Sequence, residues 1–181
     1  MMLMRGCKGL GRMLWPLLLS WSAVQAQEQP APAPEAEEAA EVEVFGDWGK
    51  RCQVLQTSGN ELCLIFQRLR LKENNQTVLY VTFGYPPIGQ GPVMVVTTPL
   101  GVSLTAGVQL QVDGAGEPQQ VAYNVCVQDG CRASLVVGEA LLEAMQSGEK
   151  LNVTFANAQN KSLGLEVSLE GFSEAHGTLQ Q

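Results

Sequence analysis

From Leu62 onward the chain alternates between short apolar, β-branched runs and breaks rich in Gly, Pro, Asn and Asp. The runs cover residues 62–71, 77–83, 93–97, 108–112, 121–127, 132–137, 151–155 and 163–169. Segments this short, punctuated where turns form, predict an all-β domain closed as a sandwich or barrel. Alternation is clearest in Val108-Gln-Leu-Gln-Val112 and in Leu163-Gly-Leu-Glu-Val-Ser-Leu169, which read as outer strands with one apolar and one wet face. One stretch departs from the pattern. Residues 139–146 place Leu141, Leu142 and Met145 at helical spacing after Gly138, predicting one short helix packed over the sandwich edge. Gly148 is expected to end it in a left-handed conformation. No internal repeat is visible, and residues 45–181 suffice for a single domain with one hydrophobic core.

The first residues have the order of an export signal. Arg5, Lys8 and Arg12 precede the apolar run at 13–19, and Val24 and Ala26 supply small residues for cleavage before Gln27. Residues 1–26 are therefore expected to be a signal peptide; the run is shorter than the roughly 20 residues that span a bilayer. Cys7 precedes the apolar run, so it is misplaced for lipid attachment and leaves with the leader. Residues 27–44, rich in Pro, Ala and Glu, lack the apolar groups needed to offset chain entropy and read as a flexible acidic spacer. Residues 45–181 are the expected β domain. Loss of the leader leaves eight basic residues against eighteen acidic ones, a net charge of −10. That balance argues against nucleic acid as a partner, since phosphate neutralisation by Lys and Arg supplies most such affinity. No later apolar run reaches membrane-spanning length, so stable membrane insertion is not expected after cleavage, and the protein is expected to be periplasmic or secreted.

Four cysteines remain, Cys52, Cys63, Cys126 and Cys131, in a compartment where disulfides persist. Two bridges are expected. Three connectivities are open on sequence grounds. Local pairing is the simplest, because Cys52 and Cys63 flank a polar turn at 57–60 while Cys126 and Cys131 enclose Val-Gln-Asp-Gly. Neither pair has the Cys-x-x-Cys spacing of a redox centre, so the bridges read as staples.

Several of these landmarks occur in a familiar order: Gly46-Asp-Trp48 and Cys52, Pro99-Leu-Gly-Val-Ser-Leu-Thr-Ala-Gly-Val-Gln-Leu110, Tyr123-Asn-Val-Cys126, Gly130-Cys131-Arg-Ala133, and the closing Leu169-Glu-Gly-Phe172. This order resembles the invasion-associated locus B family. The resemblance implies a bacterial exported protein with an immunoglobulin-like β-sandwich, named for a role in host-cell invasion by some pathogens. It carries no established catalytic residues or cofactor. Within that frame Trp48 is large enough to seat the incoming chain on the core and needs a partner for its indole N–H. Gly101, Gly107 and Gly130 fall where turns demand backbone conformations closed to other residues.

Catalytic chemistry has little to work with. The sole histidine, His176, lies five residues from the end and reads as an exposed tail residue, and no Gly-x-Ser-x-Gly presents a nucleophile. No metal or cofactor is expected. The loop Gly84-Tyr-Pro-Pro-Ile-Gly-Gln-Gly-Pro92 lacks the Lys-Ser or Lys-Thr end of a phosphate cradle; with Tyr85 and Ile88 it is the best local candidate for a contact surface. The expected function is therefore that of a non-catalytic interaction protein with an unidentified protein or envelope partner. The competing reading is an envelope hydrolase or thiol redox enzyme with an unrecognised site.

Overall fold

A computed structural model describes residues 41–56, 59–89, 91–114 and 116–180. The segment expected to be a signal peptide and nearly all of the expected spacer, residues 1–40, lie outside them. The expected β-sandwich is present as two antiparallel sheets. The larger has the order β1 (Glu43–Phe45), β2 (Trp48–Val54), β3 (Glu61–Arg70), β4 (Thr77–Gly84), β5 (Val93–Thr98), β9 (Gly130–Val136), β8 (Tyr123–Val127). The smaller runs β11 (Ser162–Ser168), β10 (Lys150–Ala156), β6 (Val108–Val112), β7 (Gln119–Val121).

Period-two patterning decides which side chains meet between the sheets. Leu79, Val81 and Phe83 of β4 and Met94 and Val96 of β5 point inward and are fully buried. Val108 and Leu110 of β6 and Leu151 and Val153 of β10 face them as the opposing half of one core. Of the two strands read as outer, β11 is an edge strand, whereas β6 lies inside the smaller sheet between β10 and β7.

The run at 121–127, read as one segment, belongs to two strands. Val121 pairs with Val108 in the smaller sheet, and after Ala122 the chain crosses so that Tyr123 starts β8 in the larger. Trp48 to Val54 was not anticipated as a strand because Gly49, Lys50 and Arg51 break its apolar pattern, and β1 takes in Glu43 and Val44 from the end of the predicted spacer.

The predicted helix forms as α1 (Glu139–Ser147), burying Met145. Gly148 does not close it as expected. Its backbone is extended, with φ −83° and ψ 169°, and a Cβ there would lie 2.8 Å from the Ala144 carbonyl oxygen. Space, not handedness, calls for glycine at this position. Gly101, Gly107 and Gly130 do take positive φ, at 86°, 64° and 142°.

A second helix, α2 (Phe172–Gly177), follows Gly171 and runs into a 3-10 turn at Thr178–Gln180. It fills the core beside Trp48: the Trp48 and Phe172 rings meet edge to face at 5.1 Å, and Phe83 approaches Phe172 at 5.4 Å. Trp48 finds the partner its N–H requires, donating to the Ser168 carbonyl oxygen at 2.9 Å. Gln67 completes a bridge between the sheets, with its amide donating to that same oxygen and accepting from the Ser168 N–H, both at 3.0 Å.

Candidate functional site

The two bridges join register partners across neighbouring strands: Cys52 is bonded to Cys63 across β2 and β3, and Cys126 to Cys131 across β8 and β9. Each staples one hairpin. The turn between Cys52 and Cys63 is closed by Leu55 N–H donating to the Asn60 carbonyl and Gly59 N–H to the Leu55 carbonyl; Thr57 and Ser58 lie outside the described residues. Glu61 brings a carboxylate within 4.8 Å of both Cys52 and Cys63, a grouping that could resemble a metal site. Because the two sulfurs are bonded to each other, it offers a cation one carboxylate and no thiolate.

At the other end of β4 the candidate contact loop leaves Gly84. Tyr85 is half-buried, while Ile88 is 90% exposed beyond the pair Pro86-Pro87. Tyr85 is held by the residue that the sequence assigned to an exposed tail. His176 is only 5% exposed, a correction whose cause is α2: the helix turns its Phe172, Ala175 and His176 face onto the core. The Tyr85 hydroxyl lies 2.8 Å from His176 Nε2, and the Gln146 amide nitrogen of α1 lies 3.2 Å from Nδ1. With that amide donating to Nδ1, Nε2 carries the proton and donates to the Tyr85 oxygen. The imidazole stacks on Phe172 at 17° and meets Phe83 edge-on at 5.5 Å.

This arrangement favours a neutral ring. Burial pushes the His176 pKa below its ordinary 6.5, because an imidazolium would lose hydration among aromatic neighbours. A general base needs a reachable nucleophile and an orienting group on its other nitrogen. Here Nδ1 faces a neutral amide, and the nearby Ser173 hydroxyl donates to the Gln146 carbonyl at 2.8 Å. The cluster thus acts as a clamp joining the 84–92 loop to α1 and α2. Gln146 and Gln67 were missed from sequence because an isolated glutamine carries no periodic or spacing signal. The 3–4 spacing of Phe172, Ala175 and His176 was the available sign that the tail is a helix with one buried face.

Among the described residues no helix is long and apolar enough to cross a membrane. A stapled two-sheet sandwich, its histidine and described cysteines committed to internal contacts, defines a small β scaffold that presents loops and sheet faces. The chain belongs to the family described as Invasion associated locus B (IalB) protein, which matches residues 48–180. Its fold is similar to the crystal structure of invasion associated protein B from Bartonella henselae, at a TM-score of 0.68 and 25% identity, covering 78% of this chain and 95% of that one. No curated protein matches the chain. The family is a bacterial exported one and is not a known enzyme family. Paired cysteines fit such an extracytoplasmic setting.

Proposed function

We propose that the mature protein is a non-catalytic interaction module of the bacterial periplasm or cell exterior, acting through a protein or envelope partner and supporting host-cell association. The observation that carries this reading is the commitment of its reactive side chains. His176 is enclosed by Tyr85, Gln146, Phe83 and Phe172, and the four cysteines are spent as staples. What remains available is shaped surface, including the Ile88 loop held at one end by the clamp.

A deletion strain complemented with wild type, His176→Phe or Cys126→Ser tests the reading through envelope robustness and host-cell association. His176→Phe keeps an aromatic ring in the stack while removing every acid–base function. The proposal expects this variant to complement fully wherever it is folded and secreted, and Cys126→Ser to fail. Loss of the phenotype in a folded, secreted His176→Phe protein would transfer the case to an enzyme.

A further inference from the structure

The outer face of the seven-stranded sheet gathers Arg51, Arg68 and Arg132, three of the eight basic residues that follow position 26. Register places Arg68, Tyr80, Thr97 and Arg132 side by side across β3, β4, β5 and β9. They alternate with the buried residues of their strands, so all four stand on the face turned away from the core. Arg68 and Arg132 are three strand spacings apart, about 14 Å. Along the neighbouring strands Arg51 lies 5.7 Å from the centre of the Phe66 ring, and Arg68 lies 4.6 Å from that of Tyr80. Phe66 and Tyr80 are themselves in contact at 5.9 Å. The ring contacts favour the positions of Arg68 and, at longer range, Arg51 over these aromatic faces, which lowers the cost of ordering them on a ligand.

Three features say what this face lacks. The ion pairs among the described residues are Lys50 with Glu43 and Lys150 with Glu166, so Arg51, Arg68 and Arg132 have no carboxylate within 4.0 Å. The Tyr80 hydroxyl in the middle of the face is buried without a hydrogen-bond partner, so it holds neither arginine. These residues line an open depression of about 710 Å³ in which Asp129 is the one described carboxylate. A ligand for it must be rich in acceptors and negatively charged. It should also carry apolar groups, since Val125, the register partner of Arg132, is 47% exposed on the edge strand β8, where Val127 is exposed too.

We infer that this face is the docking surface for an acidic polypeptide segment of a partner protein, with carboxylates received by Arg68 and Arg132 and an apolar side chain resting on Val125. A polypeptide supplies both components at once. A guanidinium takes a carboxylate through two parallel hydrogen bonds, giving orientation as well as charge attraction. The inference rests on the interaction-module reading and names the surface and partner chemistry that this reading leaves open.

The test uses the mature chain and a fluorescein-labelled octapeptide of alternating Glu and Val, read by fluorescence anisotropy. The double variant Arg68→Gln/Arg132→Gln should weaken binding by at least about tenfold, as loss of two charge-assisted contacts implies. Raising the salt should weaken wild-type binding far more than binding to the double variant. A peptide of alternating Lys and Val, inorganic phosphate and vesicles of anionic phospholipid are run alongside. Unchanged affinity in the double variant, equal binding of the Lys peptide, or tighter binding of phosphate or vesicles overturns the inference, the last in favour of a phosphorylated surface. Val125→Asn, which leaves the arginines in place, should weaken the peptide severalfold; no change would remove the apolar contact on which the choice of a polypeptide depends. Complementation separates the two levels. A double variant that fails to bind the peptide yet fully restores the phenotype refutes the docking face while the interaction-module reading stands, whereas the His176→Phe outcome above bears on that reading alone.

Discussion

Replacing Gln67 with leucine isolates the polar bridge between the sheets. Gln67 is 8% exposed on β3, and its amide makes two hydrogen bonds of 3.0 Å to the backbone of Ser168 on β11, in the opposite sheet. Leucine removes both, each contributing a net of about 0.5–1.5 kcal/mol. The Ser168 carbonyl keeps Trp48 as a donor at 2.9 Å, but its N–H loses the one acceptor the amide supplied. A donor stranded in a partly buried position costs about 1–3 kcal/mol. The apolar side chain recovers about 1 kcal/mol through better burial. The balance is a loss of about 2–3 kcal/mol, which for a domain of this size lowers Tm by roughly 6–12 °C. The assay is thermal and urea denaturation of the oxidised protein lacking residues 1–26. Trp15 and Trp21 are then gone, and Trp48 reports from within the bridge as the sole tryptophan. A Gln67→Leu protein within a degree of wild type, or above it, would refute the reasoning and mean that apolar packing alone holds the sheets together here.

Other consequences are equally measurable. Because burial lowers the His176 pKa, the folded state favours the neutral ring: its stabilising effect is complete above pH 6.5 and is lost as pH falls from 6.5 through the depressed folded value. Tm measured from pH 7.5 to 5 should show that decline in wild type and a shallower one in His176→Phe. Removing the Cys52–Cys63 bridge, with a sequence separation of 11, should cost roughly 3 kcal/mol, and removing Cys126–Cys131, with a separation of 5, roughly 2 kcal/mol. Urea melts of the two double-serine variants check the order, and non-reducing peptide mapping checks the pairing. Deleting residues 27–40 should move Tm by no more than about 2 °C, since a segment this poor in apolar groups has little to contribute to a core; a larger loss in a thermal melt would show that it packs on the domain.

The readable and unreadable parts of the chain divide along physical lines. Strands whose inward residues are all apolar, such as β4 with Leu79, Val81 and Phe83, announce themselves because burial on one face imposes period-two patterning. Strand β2 does not, since Trp48 is its one large buried side chain, Gly49 leaves room for the Phe66 ring across the pair, and Arg51 faces solvent. Local pairing of the cysteines was legible from loop length, as each pair frames one hairpin. The sheet change at Ala122 was not, because both sides of the crossing are β-rich and no Gly or Pro marks it. In the candidate contact loop Ile88 is exposed, whereas the hold on Tyr85 was not legible, because it depends on a histidine 91 residues away in sequence.

The misreading of His176 has a geometric origin that also bears on function. Seven strands cannot be covered by four, so the inner face of the larger sheet extends beyond the smaller one. Burying the remainder requires material from outside both sheets. The C-terminal residues supply it: Phe172 seals Trp48 and Phe83, Ala175 packs behind it, and His176 fills the last space while satisfying its polar nitrogens on Tyr85 and Gln146. A chain end that looks dispensable is therefore part of the core, consistent with a family match running to residue 180. The same arithmetic assigns the other face of that sheet. With its inner side closed by β-strands and helices, the larger sheet keeps an outer side bearing Arg51, Arg68 and Arg132, and a closed sandwich that works by contact must do so through such a face or through its loops. Strand β4 connects both, carrying Tyr80 in the middle of the arginine face and leading through Gly84 into the loop of Tyr85 and Ile88.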